Sequence, residues 1–167
     1  MTQLVPVSLS VNGEAIERLV APRTTLADFL REDLALTGTH IGCEMGVCGA
    51  CLVLLEDEPI RSCLMFAVQA DGRAIDTIEG LSNRGGIGDL QRAFHERNAL
   101  QCGFCTSGML VTGYTLLREP RALSREEIRD ALSGNFCRCT GYESIVDAIE
   151  QTAKLRHGSE ANNSCAE

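Results

Sequence analysis

The 167-residue chain has no tryptophan, two tyrosines and only four prolines. It has no surplus of positive charge: 15 basic residues face 23 acidic ones, a formal net charge of −8. Nucleic acid and anionic membrane surfaces recruit clustered cations, so that balance argues against both as partners. No run approaches the ~18 apolar residues of a spanning helix. The opening Met1-Thr-Gln-Leu-Val-Pro-Val-Ser-Leu-Ser10 has no basic stretch or twin arginine of the kind that begins a secretion signal. The expectation is a cytoplasmic, reducing setting, where disulfides are rare. A hydrophobic content of 44% is ordinary for a globular protein and too high for a disordered one.

Against these absences stand nine cysteines. In a reducing compartment that number needs a reason other than disulfides, and metal is the first candidate. Cys43, Cys48 and Cys51 form a C-x4-C-x2-C array, the spacing of plant-type two-iron ferredoxins, and Cys63 can supply a fourth thiolate. Gly42, Gly46 and Gly49 would let this loop adopt left-handed turns and bring its amides close to an anionic cluster. Cys102-x2-Cys105 and Cys137-x-Cys139 make a second set of four. Helix starts following Cys105 and Cys139 would direct positive dipole ends at that site. Zinc favours paired two-residue knuckles, which neither set provides in full. Inert buried cysteines remain the bland alternative, but two sets of four are hard to obtain by chance. Cys165, in a polar tail, reads as a free thiol. His40, three residues before Cys43, could be a ligand but reads better as a loop histidine. His95 falls on an exposed helix position, and Gly85-Gly86-Ile87-Gly88 lacks the lysine of a phosphate loop. No nucleophile, base and acid form a recognisable triad, so the chain holds no candidate for transforming an organic substrate alone.

Residues 1–80 read mainly as strands. Pro6–Val11 and Ala15–Val20 flank the hairpin signal Asn12-Gly13. Thr25 and Asp28 form a capping box for a short helix with Leu26, Phe29 and Leu30 inward. Further strands are expected at Leu52–Leu55, Cys63–Val68 and Ala74–Ile78, with a turn over Glu56–Pro59. From residue 81 the period becomes helical: one helix around Leu90–Arg97, one at Met109–Leu117 stopped by Pro120, one capped by Ser124 and Glu127 and closed by Gly134, and one from Thr140. A glycine-rich linker is expected near Leu81–Gly88. The fold class is therefore α+β, with a small domain of a helix packed on a sheet at 1–80, a four-helix domain at 81–156 and a polar, disordered tail at 157–167. The first 80 residues hold five arginines and twelve acids, so their negative charge is either a solvated face or a docking face for a redox partner.

The segments Gly42-Cys-Glu-Met-Gly-Val-Cys-Gly-Ala-Cys51, Ser62-Cys63, Gln101-Cys-Gly-Phe-Cys105, Gly108-Met109 and Asn135-Phe-Cys-Arg-Cys-Thr-Gly-Tyr142 resemble the iron-sulfur subunit of molybdenum hydroxylases, the xanthine oxidase superfamily. The likeness runs from about Leu4 to Leu155, and Phe66–Gly80 looks most like the carbon monoxide dehydrogenase branch. It implies a β-grasp domain followed by a four-helix bundle, each with one [2Fe-2S] cluster. A large subunit with molybdopterin, often as the cytosine dinucleotide, and a medium subunit with FAD would complete a dimer of heterotrimers. By resemblance, Gln101 and Cys139 lie against the pterin. Ser107 departs from the family, where proline commonly precedes Gly108-Met109. The implied function is electron transfer within a complex that hydroxylates a small substrate: an N-heteroaromatic for preference, with aldehydes and carbon monoxide open. A free-standing ferredoxin-like carrier is the alternative.

Overall fold

A computed structural model describes residues 3–119 and 121–163. Strands β1 (Val5–Val11) and β2 (Glu14–Val20) pair antiparallel across Asn12-Gly13, both at positive φ (55° and 88°). That is the geometry a two-residue hairpin turn needs to match strand twist. The helical segment α1 starts at Leu26, where the Thr25 hydroxyl accepts the Asp28 amide, and winds on in π form through Phe29–Asp33. Strand β3 (Leu52–Leu55) turns through Glu56 and Asp57, both left-handed, into β4 (Glu58–Arg61); β5 is Ala74–Asp76. The sheet order is β2-β1-β5-β3-β4, with β1 and β5 parallel and the other pairs antiparallel.

Three expectations about this half are corrected. The turn expected over Glu56–Pro59 is two residues long, because Pro59 sits on an edge strand, where it has no ladder bond to donate. Cys63–Val68 is not a strand but two 3-10 turns, Ser62–Leu64 and Ala67–Ala70. Ile78 ends no strand; it begins helix α2 (Ile78–Asn83), with Thr77 as N-cap.

Helices α3 (Gly88–Glu96), α4 (Thr106–Leu116), α5 (Arg125–Ala131) and α6 (Glu143–Asn163) follow. They share a core that includes Leu90, Phe94, Met109, Ile128, Ile145 and Ile149. The Ser124–Glu127 capping box forms in both directions and a 3-10 turn ends at Gly134. Helix α4 ends at Leu116; Pro120, its expected stop, lies outside the described residues. Helix α6 starts at Glu143, not Thr140, because Gly141 and Tyr142 (φ 69° each) turn the chain first. It also continues to Asn163 where a disordered tail was expected from His157. No proline interrupts that stretch, and a single exposed glycine, Gly158, is tolerated in a helix at modest cost. Cys165 lies outside the described residues. Among the described residues no helix is long and apolar enough to cross a membrane.

All four residues of β3 are buried, and the reason places the cysteines. Val53 and Leu55 face the core under α1, with Phe29, Leu30 and Ile75. Leu52 and Leu54 face the other way, onto Leu81, Ile87 and Val111. A strand covered on both faces reads as a continuous apolar run. The glycine-rich stretch near 81–88 is therefore no bare linker: Leu81 and Ile87 are pinned beneath α4. At ~1.5–3 kcal/mol per buried aliphatic side chain, these five residues contribute on the order of 10 kcal/mol to the junction, as an upper bound. Because β3 begins just after Cys51 and α4 just after Cys105, packing one on the other brings the two cysteine loops together.

Candidate metal centres

The eight cysteines come in twos. The Cys43 and Cys48 thiols are in hydrogen-bonding contact, as are Cys51 with Cys63 and Cys105 with Cys137. The Cys139 Sγ lies 3.7 Å from the Cys102 Sγ. The twos also lie within electrostatic reach of each other: Cys63 feels Cys43, and Cys105 feels Cys102. Two thiolates at ~2.3 Å on one tetrahedral metal stand ~3.7 Å apart, so each two suits one metal atom. Among the described residues no group of three or more His, Cys, Asp or Glu converges on a single metal ion. Two pairs side by side fit a cluster of two metal atoms, each held by two thiolates. The donor set is all sulfur, which suits a [2Fe-2S] rhomb.

The first loop is shaped around its sulfurs. Gly46 and Gly49 are left-handed (φ 76° and 73°), whereas Gly42 is glycine for a different reason: a Cβ there would stand 3.2 Å from the Cys48 Sγ. The Cys48 amide donates to the Cys43 Sγ at 3.4 Å. Amide donors from Met45 and Cys48 hold the Cys43 thiol down to about 6. Burial, then the neighbouring Cys51 thiol, pushes Cys63 up to about 11. Ser62 is fully buried and its hydroxyl donates to the Cys51 carbonyl at 2.7 Å, tying the second pair together.

The second set spans two turns. Cys105 is the N-cap of α4, and burial, then Cys137, pushes its thiol up to about 12. Cys137 is lowered: burial opposes this, but the Thr140 hydroxyl and amide outweigh it. The Thr140 amide reaches the Cys137 Sγ at 3.4 Å, and the Cys137 amide donates to the Tyr142 hydroxyl at 2.8 Å. The helix start expected to face Cys139 is replaced by this Thr140–Tyr142 turn. Cys102 and Cys139 are exposed, and beside them the Gln101 side-chain Nε2 donates to the Cys139 carbonyl at 3.0 Å. The expected residues of this end, Gln101 and Cys139, are thus in contact on an open surface.

The two sets meet backbone to backbone. The Phe136 amide donates to the Cys48 carbonyl at 2.8 Å, so one hydrogen bond and one residue separate Cys48 from Cys137. Gly108 and Gly49 touch so closely that a Cβ at Gly108 would overlap the Gly49 carbonyl oxygen. His40 is not among the sulfurs: its ring stacks on Phe104 at 4.8 Å and its Nδ1 lies 2.9 Å from the Phe104 carbonyl. Ser107 is buried, with its Oγ 3.3 Å from the His40 Nδ1. A proline at 107 would lack that hydroxyl. Thr140 and Tyr142 escaped the sequence reading as site residues, although the Thr-Gly turn after Cys139 was a usable signal for both.

Comparison with known proteins agrees with this geometry. A 2Fe-2S iron-sulfur cluster binding domain matches residues 9–77, and a second [2Fe-2S] binding domain matches 77–150. The chain thus falls in the class of electron-transfer proteins with two 2Fe-2S binding domains. It is 57% identical to the caffeine dehydrogenase gamma subunit of Pseudomonas sp. (strain CBB1) over 150 residues, 88% of this chain and 90% of that one. It is 50% identical to the nicotine 6-hydroxylase small subunit of Paenarthrobacter nicotinovorans, covering 87% of each. The crystal structure of quinoline 2-oxidoreductase from Pseudomonas putida 86 superposes with a TM-score of 0.87 at 51% identity, over 95% of this chain and 99% of that one. The chain belongs to the small iron-sulfur subunits of the xanthine oxidase family of molybdenum hydroxylases.

Proposed function

We propose that this chain carries electrons from a molybdopterin site in a large subunit to FAD in a medium subunit. The observation that carries the reading is the pair of thiol quartets joined through the Phe136–Cys48 hydrogen bond. The ligands are assigned as Cys43, Cys48, Cys51 and Cys63 for one cluster and Cys102, Cys105, Cys137 and Cys139 for the other. When bound, each cluster supplies a one-electron store. The chain's own residues do the rest. Amides at Cys48 and Thr140 hydrogen-bond sulfur and so favour its reduced, more negative state. Ser62 and Tyr142 hold the loops in register.

The chain divides into a ferredoxin-like β-grasp domain, residues 1–80, and a four-helix domain, residues 81–156. The exposed Gln101, Cys102 and Cys139 mark the end that meets the large subunit and its pterin, the cytosine dinucleotide form being favoured. The assembly is a dimer of heterotrimers in the cytoplasm. Its substrate is an N-heteroaromatic, in keeping with the caffeine, nicotine and quinoline relatives. The test is chemical and spectroscopic. The purified complex should hold four irons and four acid-labile sulfides per small subunit. Dithionite should produce two distinct EPR signals, and two larger chains should co-purify. Two irons per chain, or zinc in their place, would defeat the proposal. A two-cluster chain that purifies alone from its native cells would establish the free carrier instead.

A further inference from the structure

Arg61 lies half-buried in β4, two residues before Cys63, and reaches out of its own half of the chain. Its Nε donates to the Gly46 carbonyl at 3.1 Å, inside the first cysteine loop. Its Nη2 donates to the Gly134 carbonyl at 2.9 Å, in the turn that leads to Cys137. Among the described residues no carboxylate pairs with Arg61, so its hydrogen bonds go to these two carbonyls from opposite halves. Gly134 leaves room for this: a Cβ there would stand 2.5 Å from the Nη2. Two residues beyond Gly134, the Phe136 amide meets the Cys48 carbonyl, and Cys48 is two residues beyond Gly46. One planar guanidinium therefore holds both strands of chain that meet at that hydrogen bond. Asn135 braces the same turn, buried, with its side-chain oxygen accepting from Thr112.

We propose that Arg61 is a positioning residue for electron passage between the two cysteine sets, clamping Gly46 to Gly134 so that the Phe136 amide stays on the Cys48 carbonyl. This rests on the two-cluster reading above. The step it serves moves one electron from the cluster of the second set to that of the first, oxidising one as the other is reduced, with no bond made or broken. Geometry, not charge alone, is the essence of the clamp. A guanidinium presents two donors in a fixed fork, whereas an ammonium is a point charge on a flexible stem.

Three variants of the full-length chain separate these ideas: Arg61→Gln, Arg61→Lys and Gly134→Ala. The last leaves the arginine in place and pushes its Nη2 away by the added methyl group. Iron content and dithionite reduction of each cluster should be native in all three. Hydrogen exchange at the Phe136 amide should become about tenfold faster in Arg61→Gln and Gly134→Ala, the factor expected from losing a charge-assisted hydrogen bond. Redistribution of an electron between the clusters after flash reduction should slow in the same two variants, with each cluster's own EPR spectrum unchanged. Arg61→Lys should restore neither readout. Native exchange at Phe136 together with native redistribution in Arg61→Gln would overturn the clamp. Full restoration by lysine would overturn it in favour of a purely electrostatic effect. A chain without iron would defeat the two-cluster reading instead, while amide exchange at Phe136 would still decide the clamp.

Discussion

The same substitution, glycine to alanine, should have opposite effects at two helical positions of this chain. In a helix interior alanine is favoured over glycine by up to ~1 kcal/mol, because glycine loses more backbone freedom on folding. Gly158 lies in α6 with nothing within 4 Å of an added Cβ, so Gly158→Ala should show that gain. Gly108 lies in the first turn of α4, against the first cysteine loop. Its added Cβ would overlap the Gly49 oxygen and approach the Gly49 carbonyl carbon at 3.0 Å and the Ala50 Cα at 3.3 Å. Those are backbone atoms with no rotamer to yield, so either α4 or the loop must shift. Overpacking of this kind costs ~1–3 kcal/mol, which outweighs the helix gain. For a chain of this size, 1 kcal/mol moves the unfolding midpoint by ~2–4 °C. Thermal unfolding at one scan rate, followed by circular dichroism and cluster absorbance, should show Gly158→Ala up by ~2–4 °C. Gly108→Ala, with a net loss of up to ~2 kcal/mol, should instead be lowered by up to ~4–8 °C, with a perturbed signal from the first cluster. If Gly108→Ala rose in step with Gly158→Ala and kept both native spectra, the inferred contact between the halves would be wrong.

Replacing Cys48 with serine should remove one EPR signal and spare the other, and Cys137→Ser should do the reverse; loss of both signals from a folded single variant would disprove the two ligand sets. Gln101→Ala should keep both clusters and the fold but slow reduction by substrate in the assembled complex, leaving dithionite reduction intact, as rapid-mixing absorbance would record. Ser124→Ala removes the hydroxyl that accepts the Glu127 amide at 3.2 Å and should cost ~1 kcal/mol, read as a lowered thermal midpoint with unchanged cluster spectra.

Local chemistry was legible wherever a few neighbouring residues decide the outcome. Asn12-Gly13 announced its hairpin and Ser124 with Glu127 its helix start, because turn and cap geometry depend on adjacent backbone and side-chain groups. Spacing divided the eight cysteines into two sets of four, and in the structure their thiols lie in pairs. The errors arose where tertiary packing overrides a local pattern. Cys63–Val68 has a strand-like composition, yet loop contacts such as Ser62 on Cys51 fold it into turns. The turn at Glu56 was expected but read as four residues; because Glu56 and Asp57 are both left-handed it closes in two, so β4 and with it Arg61 were missed. Leu81 and Ile87 looked like the edges of a linker because their partners, Leu52, Leu54 and Val111, lie 24 to 35 residues away.

The unequal cover over the two cysteine sets bears on how the subunit survives before it finds its partners. Cys51 and Cys63 are sealed inside the protein, whereas Cys102 and Cys139 face solvent. Oxygen and chelators therefore have a direct approach to the second site and only a hindered one to the first. If the large subunit docks at that end, as proposed above, a subunit left waiting in solution would lose its inventory from there first, and docking would act as a stopper. On the proposed two-cluster reading, the second site should be the first to lose its cluster when the lone chain is aged in air.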